Sequence, residues 1–220
     1  MSRPVKTRPY RSPQRAAQAA ATRVAVLRAA HQLFTAQGYA GTTVTQVART
    51  AGVAVDTVYA AVGRKPQLIL ALVDEALAGH QPEQPQAVPT SAQERDYVRA
   101  VREAQGARAK LATYARAIAS RHQQVVPLVA ALRQAAGTDP TAAQALAAFG
   151  QRRADNMRLF AADLRETGEL RTDLTDDQVA DFIWSTNATE YYELLTTRGL
   201  GVADIERLLT DIWTRVLLAP

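Results

Sequence analysis

Proline is missing from two long stretches of this chain, residues 14–65 and residues 141–219. The residue that removes a backbone donor and breaks helix interiors is therefore absent where uninterrupted helices need it to be. Alanine, the best helix former, supplies about a fifth of the 220 residues, and runs of β-branched residues are rare. Apolar residues recur at the 3.6-residue period along most of the chain, so the fold class expected is all-α. With 47% hydrophobic residues, a chain of this length can bury a sizeable core.

The spacing predicts a first helix over residues 15–37, with Val24, Leu27, His31 and Phe34 on one face and Gly38 closing it. Thr42 and Thr43 offer an N-cap for a short helix to residue 50, with Val44, Val47, Ala48 and Ala51 inward. Gly52 breaks that helix, and a second short one is expected over residues 54–62. After Gly63, Pro66 sits in the first turn of a fourth helix, where its missing N–H costs nothing. That helix carries Leu68, Ile69, Leu72, Val73 and Leu77 to Gly79. Pro82, Pro85 and Pro89 mark residues 80–91 as a linker. Longer helices are expected over residues 92–104, 107–121, 123–136, 140–167, 175–198 and 202–218. Pro127 falls inside one of them and implies a later start or a kink. The organisation expected is a disordered basic tail (1–14), a three-helix helix-turn-helix domain (15–79), the linker, and a second helical domain (92–220).

Charge is unevenly placed. The net charge is +5, yet residues 1–80 hold ten basic residues against Asp56, Asp74 and Glu75, and the remaining 140 residues are slightly acidic. A basic end on a near-neutral body points first to nucleic acid, with an anionic membrane surface or plain solubility as alternatives. There is no cysteine, and the three histidines (His31, His80, His122) are scattered, so neither a metal site nor a cofactor is expected. Asp173, Asp176 and Asp177 resemble a carboxylate cluster, but Thr175-x-x-Gln178 is a capping box and acids suit a first helical turn. Gly63-Arg64-Lys65 lacks the rest of a phosphate loop. The expectation is that the chain is not an enzyme. No apolar run approaches a membrane span, and the basic N-terminus has no apolar stretch, so a soluble cytoplasmic protein without a membrane partner is expected.

The segment 43–62 pairs two short helices around Ala51-Gly52-Val53, with small Ala48 where they cross. Alone, this pattern fits a structural helical corner as well as a DNA-binding motif. The run Phe34, Gly38-Tyr39, Thr42-Thr43-Val44, Val47-Ala48, Ala51-Gly52-Val53 and Thr57-Val58-Tyr59, followed by Lys65 and Leu68, resembles the DNA-binding domain of TetR-type (tetracycline-repressor-like) bacterial transcriptional regulators. The resemblance covers residues 20–78. More loosely, Asp163-Leu164, Gly168, Leu170-Arg171, Trp184, Glu190, Arg198-Gly199 and Leu217-Leu218 resemble one C-terminal subfamily. The resemblance implies an N-terminal domain that reads a double-stranded, palindromic operator. It also implies a C-terminal domain that binds a small-molecule effector and forms a homodimer. A repressor released by its effector is the first expectation; an effector-free or activating DNA-binding dimer stays open.

By the same resemblance Tyr59 and Lys65 contact phosphates, with Thr43 and Thr45 near the backbone at the start of the first short helix and Arg64 beside Lys65. The recognition helix offers Ala54, Val55, Thr57 and Ala60. It departs from the family: Ala54 replaces a Ser or Thr cap, Asp56 is acidic, and Ala60-Ala61-Val62 replace an aromatic cluster. No Arg, Asn or Gln is there to read a base edge bidentately. The arginines of the tail, Arg8, Arg11 and Arg15, are therefore expected to add affinity, unless the tail is simply disordered. Pocket candidates are polar or aromatic residues on apolar helices: Tyr97, Tyr114, His122, Phe149, Asn156, Trp184 and Asn187. Each also fits a plain structural role, and no charged cluster points to a ligand class. For the dimer interface the candidates are Leu194, Leu195, Leu208, Ile212, Trp213 and Val216. The fourth helix, 65–78, is expected to carry coupling between the two domains.

Overall fold

The computed structural model describes residues 13–81, 84–86 and 91–220; Arg8 and Arg11 of the expected tail lie outside these. Among the described residues there are ten α-helices, one 3₁₀ turn (Ala92–Glu94) and no strand beyond an isolated pairing of Leu170 with Leu218. The all-α expectation is met.

Glycines divide the N-terminal third. Helix α1 (Pro13–Gly41) loses helical geometry at Gly38, whose φ of 72° suits a residue without Cβ. Helices α2 (Val44–Ala51) and α3 (Val55–Ala61) follow, then α4 (Lys65–Ala78), with Pro66 in its first turn. The body consists of α5 (Asp96–Glu103), α6 (Ala107–Ala136), α7 (Pro140–Arg165), α8 (Asp176–Thr186), α9 (Thr189–Thr197) and α10 (Val202–Leu217).

Three boundaries differ from the sequence reading. The helix expected over 92–104 is a 3₁₀ turn and α5, divided at Arg95, whose ψ of 139° is extended. The helices expected over 107–121 and 123–136 are one, α6, with Pro127 inside it. No breaker separates them, and Pro127 and Gln123 are both exposed, so water can take the carbonyl that Pro127 leaves unbonded. Conversely, the helix expected over 175–198 is two, α8 and α9. The break falls at Asn187, whose side chain is drawn inward: its amide donates to Tyr114 Oη at 2.6 Å and its oxygen accepts from Arg153.

The apolar core forms two clusters that do not divide at the proline-rich segment. One joins α1–α4 (Leu27, Val47, Val58, Ile69) to Val125, Val129 and Leu132 of α6 and Ala142, Ala145 and Phe149 of α7. The other gathers the earlier part of α6 and the later part of α7 with α5, α8, α9 and α10 around Trp213. Helices α6 and α7 therefore run through both. At about 1.5 Å per residue, the 30 residues of α6 extend roughly 45 Å.

Candidate DNA-binding face and ligand cavity

The corner between α2 and α3 is built from local chemistry. Gly52 caps α2 in the left-handed region (φ 68°, ψ 32°), and Val53 N–H donates to Ala48 O at 3.0 Å. Val47, Ala48 and Val58 are buried beneath the turn. Thr43 caps α2 reciprocally with Gln46: Gln46 N donates to Thr43 Oγ1 at 3.2 Å, and Thr43 N donates to Gln46 Oε1 at 2.7 Å. The Thr43 hydroxyl is thus engaged in the cap, whereas Thr45 is exposed.

Helix α3 starts without a side-chain cap, because Ala54 has the geometry of an N-cap (φ −71°, ψ 153°) but no oxygen to offer. Its outer face shows Ala54, Asp56, Tyr59 and Ala60, and the Tyr59 side chain is among the most exposed large apolar groups. Val55 packs partly against the core, and Thr57 is half-buried. Arg23 of α1 holds the other end, donating to Ala61 O at 3.3 Å. Arg64 and Arg15 are exposed.

Lys65 is placed more specifically than its sequence position suggested. Its Nζ lies 4.0 Å from the centre of the Tyr39 ring, which stacks on Phe34. Partial burial lowers the Lys65 pKa, while the charge of Asp139, the N-cap of α7, opposes that shift. Tyr39 is pushed up to about 12, first by burial and then by Asp139.

The body contains a cavity of about 110 Å³ whose lining comes from α4–α7, the turn before α5 and the junction of α8 with α9. Tyr97, Tyr114, His122, Phe149, Asn156 and Asn187 all line it. Trp184 does not: its indole is partly exposed on α8 and lies 5.3 Å from the Arg153 guanidinium. Tyr114 is central, with ring centres of Phe160 at 4.9 Å, Trp213 at 5.7 Å and Tyr97 at 6.3 Å. Burial pushes its phenol far up, so it stays protonated. His122 is buried edge-on to Tyr192, and desolvation followed by the charge of Arg153 pulls its pKa down to about 3. It is neutral, with one donor and one acceptor nitrogen.

Charged residues that sequence reasoning missed complete the lining. Arg95, buried ahead of α5, donates to Asp74 Oδ1 of α4 at 3.0 Å, and Arg152 of α7 donates to the same oxygen at 2.9 Å. Arg153 donates to Trp184 O at 2.9 Å and to Asn187 Oδ1. Asp163 pairs with the buried Lys110 at 3.0 Å. Arg95 and Arg153 belong to different elements far apart in the chain, so no spacing signals their meeting. Among the described residues no cluster of His, Asp and Glu is placed to hold a metal ion, and no helix is long and apolar enough to cross a membrane.

Of the interface candidates, Leu194 is 61% exposed and Val216 37% exposed, while Leu195, Leu208 and Ile212 are half-buried. Trp213 must be removed from that set. It is fully buried in the chain's own core, and its indole N–H donates to Thr186 Oγ1 at 2.7 Å, so it offers no surface to a second copy.

Fold and site together define a class: a helix-turn-helix module packed on an all-helical body that contains a cavity. Residues 26–72 match the family model described as bacterial regulatory proteins, tetR family. Whole-chain likeness is to solved TetR-family regulators. One from Rhodococcus sp. is 18% identical, with a TM-score of 0.64 over 90% of this chain and 99% of that one. Another, from Mesorhizobium loti, is 17% identical, with a TM-score of 0.63 over 92% and 99%. A regulator from Saccharomonospora viridis, solved in complex with choline, is 15% identical, with a TM-score of 0.61 over 90% and 98%. At these identities the likeness is one of fold. No curated protein shows significant similarity to the chain. Residues 26–72 therefore carry the tetR-family DNA-binding pattern, and the whole chain has the fold of solved TetR-family regulators.

Proposed function

We propose that this protein is a homodimeric repressor that leaves its operator when a small molecule fills the cavity. The observation that carries this reading is the tie at Asp74. Arg95 lines the cavity, and its counter-charge sits on α4, whose first residue is Lys65 beside α3. A ligand that rearranges Arg95 acts directly on the helix that positions the DNA-binding corner.

On the DNA side, Tyr59, Arg64, Lys65 and Thr45 hold phosphates, with Thr43 N-capping α2 nearby. Val55 and Ala60 pack on thymine methyls, with Ala54 and Thr57 at the groove. Arg8, Arg11 and Arg15 add sequence-tolerant affinity. A second copy docks on the exposed apolar side chains of α8–α10, Trp184, Leu194 and Val216 among them. Two-fold symmetry then matches a palindromic operator in the cytoplasm, with half-sites about 34–36 Å apart, so a small change in the spacing of the two α3 helices weakens binding. The Saccharomonospora viridis neighbour was solved with a small molecule, which fits an effector-responsive body here.

A thermal-shift screen followed by DNA-binding anisotropy tests this. A compound that raises the melting temperature weakens DNA binding, and DNA weakens that compound's affinity by the same factor, as linkage requires. Coupling of this kind is typically ~1–3 kcal/mol. Equal affinity of free and DNA-bound protein for the compound refutes release.

A further inference from the structure

On the reading that the cavity holds the effector, we infer that it takes a monoanionic organic acid of modest size. The carboxylate is drawn to Arg95 and Arg153, and the apolar part is held among Tyr97, Tyr114, Phe149 and Phe160.

The charge on the lining is one-sided. Among the lining residues, Arg95 and Arg153 are buried or half-buried cations and Arg102 is exposed and bonded to Gln93, against a single carboxylate, Asp163. Asp163 is already taken by Lys110 at 3.0 Å. Arg153 has neutral hydrogen-bond partners, a backbone carbonyl and the Asn187 amide oxygen. Glu190 also acts on Arg153, but it is itself ion-paired with Arg133 at 3.1 Å. Arg95 shares its one counter-ion with Arg152, and its Nε is buried with no hydrogen-bond partner. A donor left unmade on a buried cation is the kind of group that a ligand satisfies, and a planar carboxylate matches the guanidinium fork. Arg153 is linked to the Tyr114 hydroxyl through Asn187, whose amide donates to Tyr114 Oη at 2.6 Å, and Arg95 lines the same cavity from the turn before α5.

Four aromatic rings on one cavity also suit a cation, through their faces. Here the guanidiniums oppose that occupant, and neutral His122 supplies no negative charge to offset them. The rest of the lining is largely apolar (Leu77, Val98, Val101, Ile118), which disfavours a multiply charged anion. At ~10–15 Å³ per water-sized site, the cavity of about 110 Å³ accommodates roughly seven to eleven non-hydrogen atoms.

Titration calorimetry on the full chain at pH 7.5 tests this with two skeletons, each as acid, primary amide and amine: 3-phenylpropanoate and octanoate with their counterparts. The expected result is that at least one acid binds ten-fold or more tightly than its amide, and that neither amine binds measurably. R153Q and R95Q, checked for folding by circular dichroism, bring the acid-to-amide ratio towards one. The acid–amide comparison on the unsubstituted chain needs no variant and stands if one of these fails to fold. Failure of both acids to bind, an amide or amine binding as tightly as its acid, or ratios unchanged in both folded variants overturns the inference. Anisotropy with operator DNA separates the two readings. An acid that binds without changing DNA affinity overturns release while keeping the acid site; release by a neutral or cationic compound does the reverse.

Discussion

Asp74 lies one turn from the end of α4 and serves two arginines with one carboxylate. The Arg95 side chain is 5% exposed, that of Arg152 is 43% exposed, and that of Asp74 is 29% exposed. Asp74→Asn keeps the shape but removes the charge, leaving Arg95 buried without a counter-ion. Breaking a buried pair costs ~3–5 kcal/mol, and exposed pairs are worth ~0.2–1 kcal/mol. Water reaches part of Asp74, which places this case between the two, at about 2–3 kcal/mol. For a chain of this size ~2–4 °C of melting temperature follows each kcal/mol, so a fall of roughly 4–12 °C is expected. Arg152→Gln is the control and costs below ~1 kcal/mol, because that arginine stays solvated. Urea unfolding followed by circular dichroism, with unchanged m-values, reads both. If Asp74→Asn costs no more than Arg152→Gln, Asp74 is not holding a buried charge, and the tie between cavity and α4 fails with it.

Ala54→Ser supplies the cap that α3 lacks and stabilises by about 1 kcal/mol, seen as roughly five-fold slower hydrogen exchange of α3 amides that open locally; unchanged exchange contradicts it. His122, held at about 3 when folded and near 6.5 when unfolded, makes the unfolded state bind more protons between those values. Stability therefore rises with pH from about 3 and levels off above 6.5; between pH 7.5 and 5 the loss approaches ~2 kcal/mol and is absent in His122→Gln. Equal pH slopes in urea titrations of the two proteins refute this. Deleting residues 2–14 lowers the slope of log affinity against log salt in DNA binding, if Arg8 and Arg11 meet phosphates; an unchanged slope shows that they do not.

What was legible in the sequence was local chemistry. Gly38 and Gly52 end helices through their own positive φ, Thr43 caps the helix that follows it, and the Thr175–Gln178 box forms between residues three apart. The missing cap at Ala54 was visible for the same reason. Tertiary contacts decided the rest. The break at Asn187 needs Tyr114 and Arg153, and a helical pattern without proline or glycine conceals it. Six of the polar and aromatic candidates on apolar helices line the cavity, and a group out of character with its helix face is the sequence signal for such a position. Arg95 and Arg153 were hidden among 26 basic residues, since nothing but the fold distinguishes a buried arginine from a solvated one. Trp213 was misplaced on an interface because an apolar stripe does not say whether it faces the chain's own core or a second copy.

In the function proposed above, the α2–α3 corner and Lys65 bind operator DNA. Fluorescence anisotropy with DNA from upstream of the gene, titrated against a scrambled duplex from 50 to 300 mM salt, tests it most directly. Sequence-selective binding that weakens steeply with salt is expected, with a Lys65→Gln variant whose log–log salt slope falls by ~1 with selectivity retained. Equal affinity for the scrambled duplex, or binding indifferent to both salt and Lys65→Gln, contradicts it.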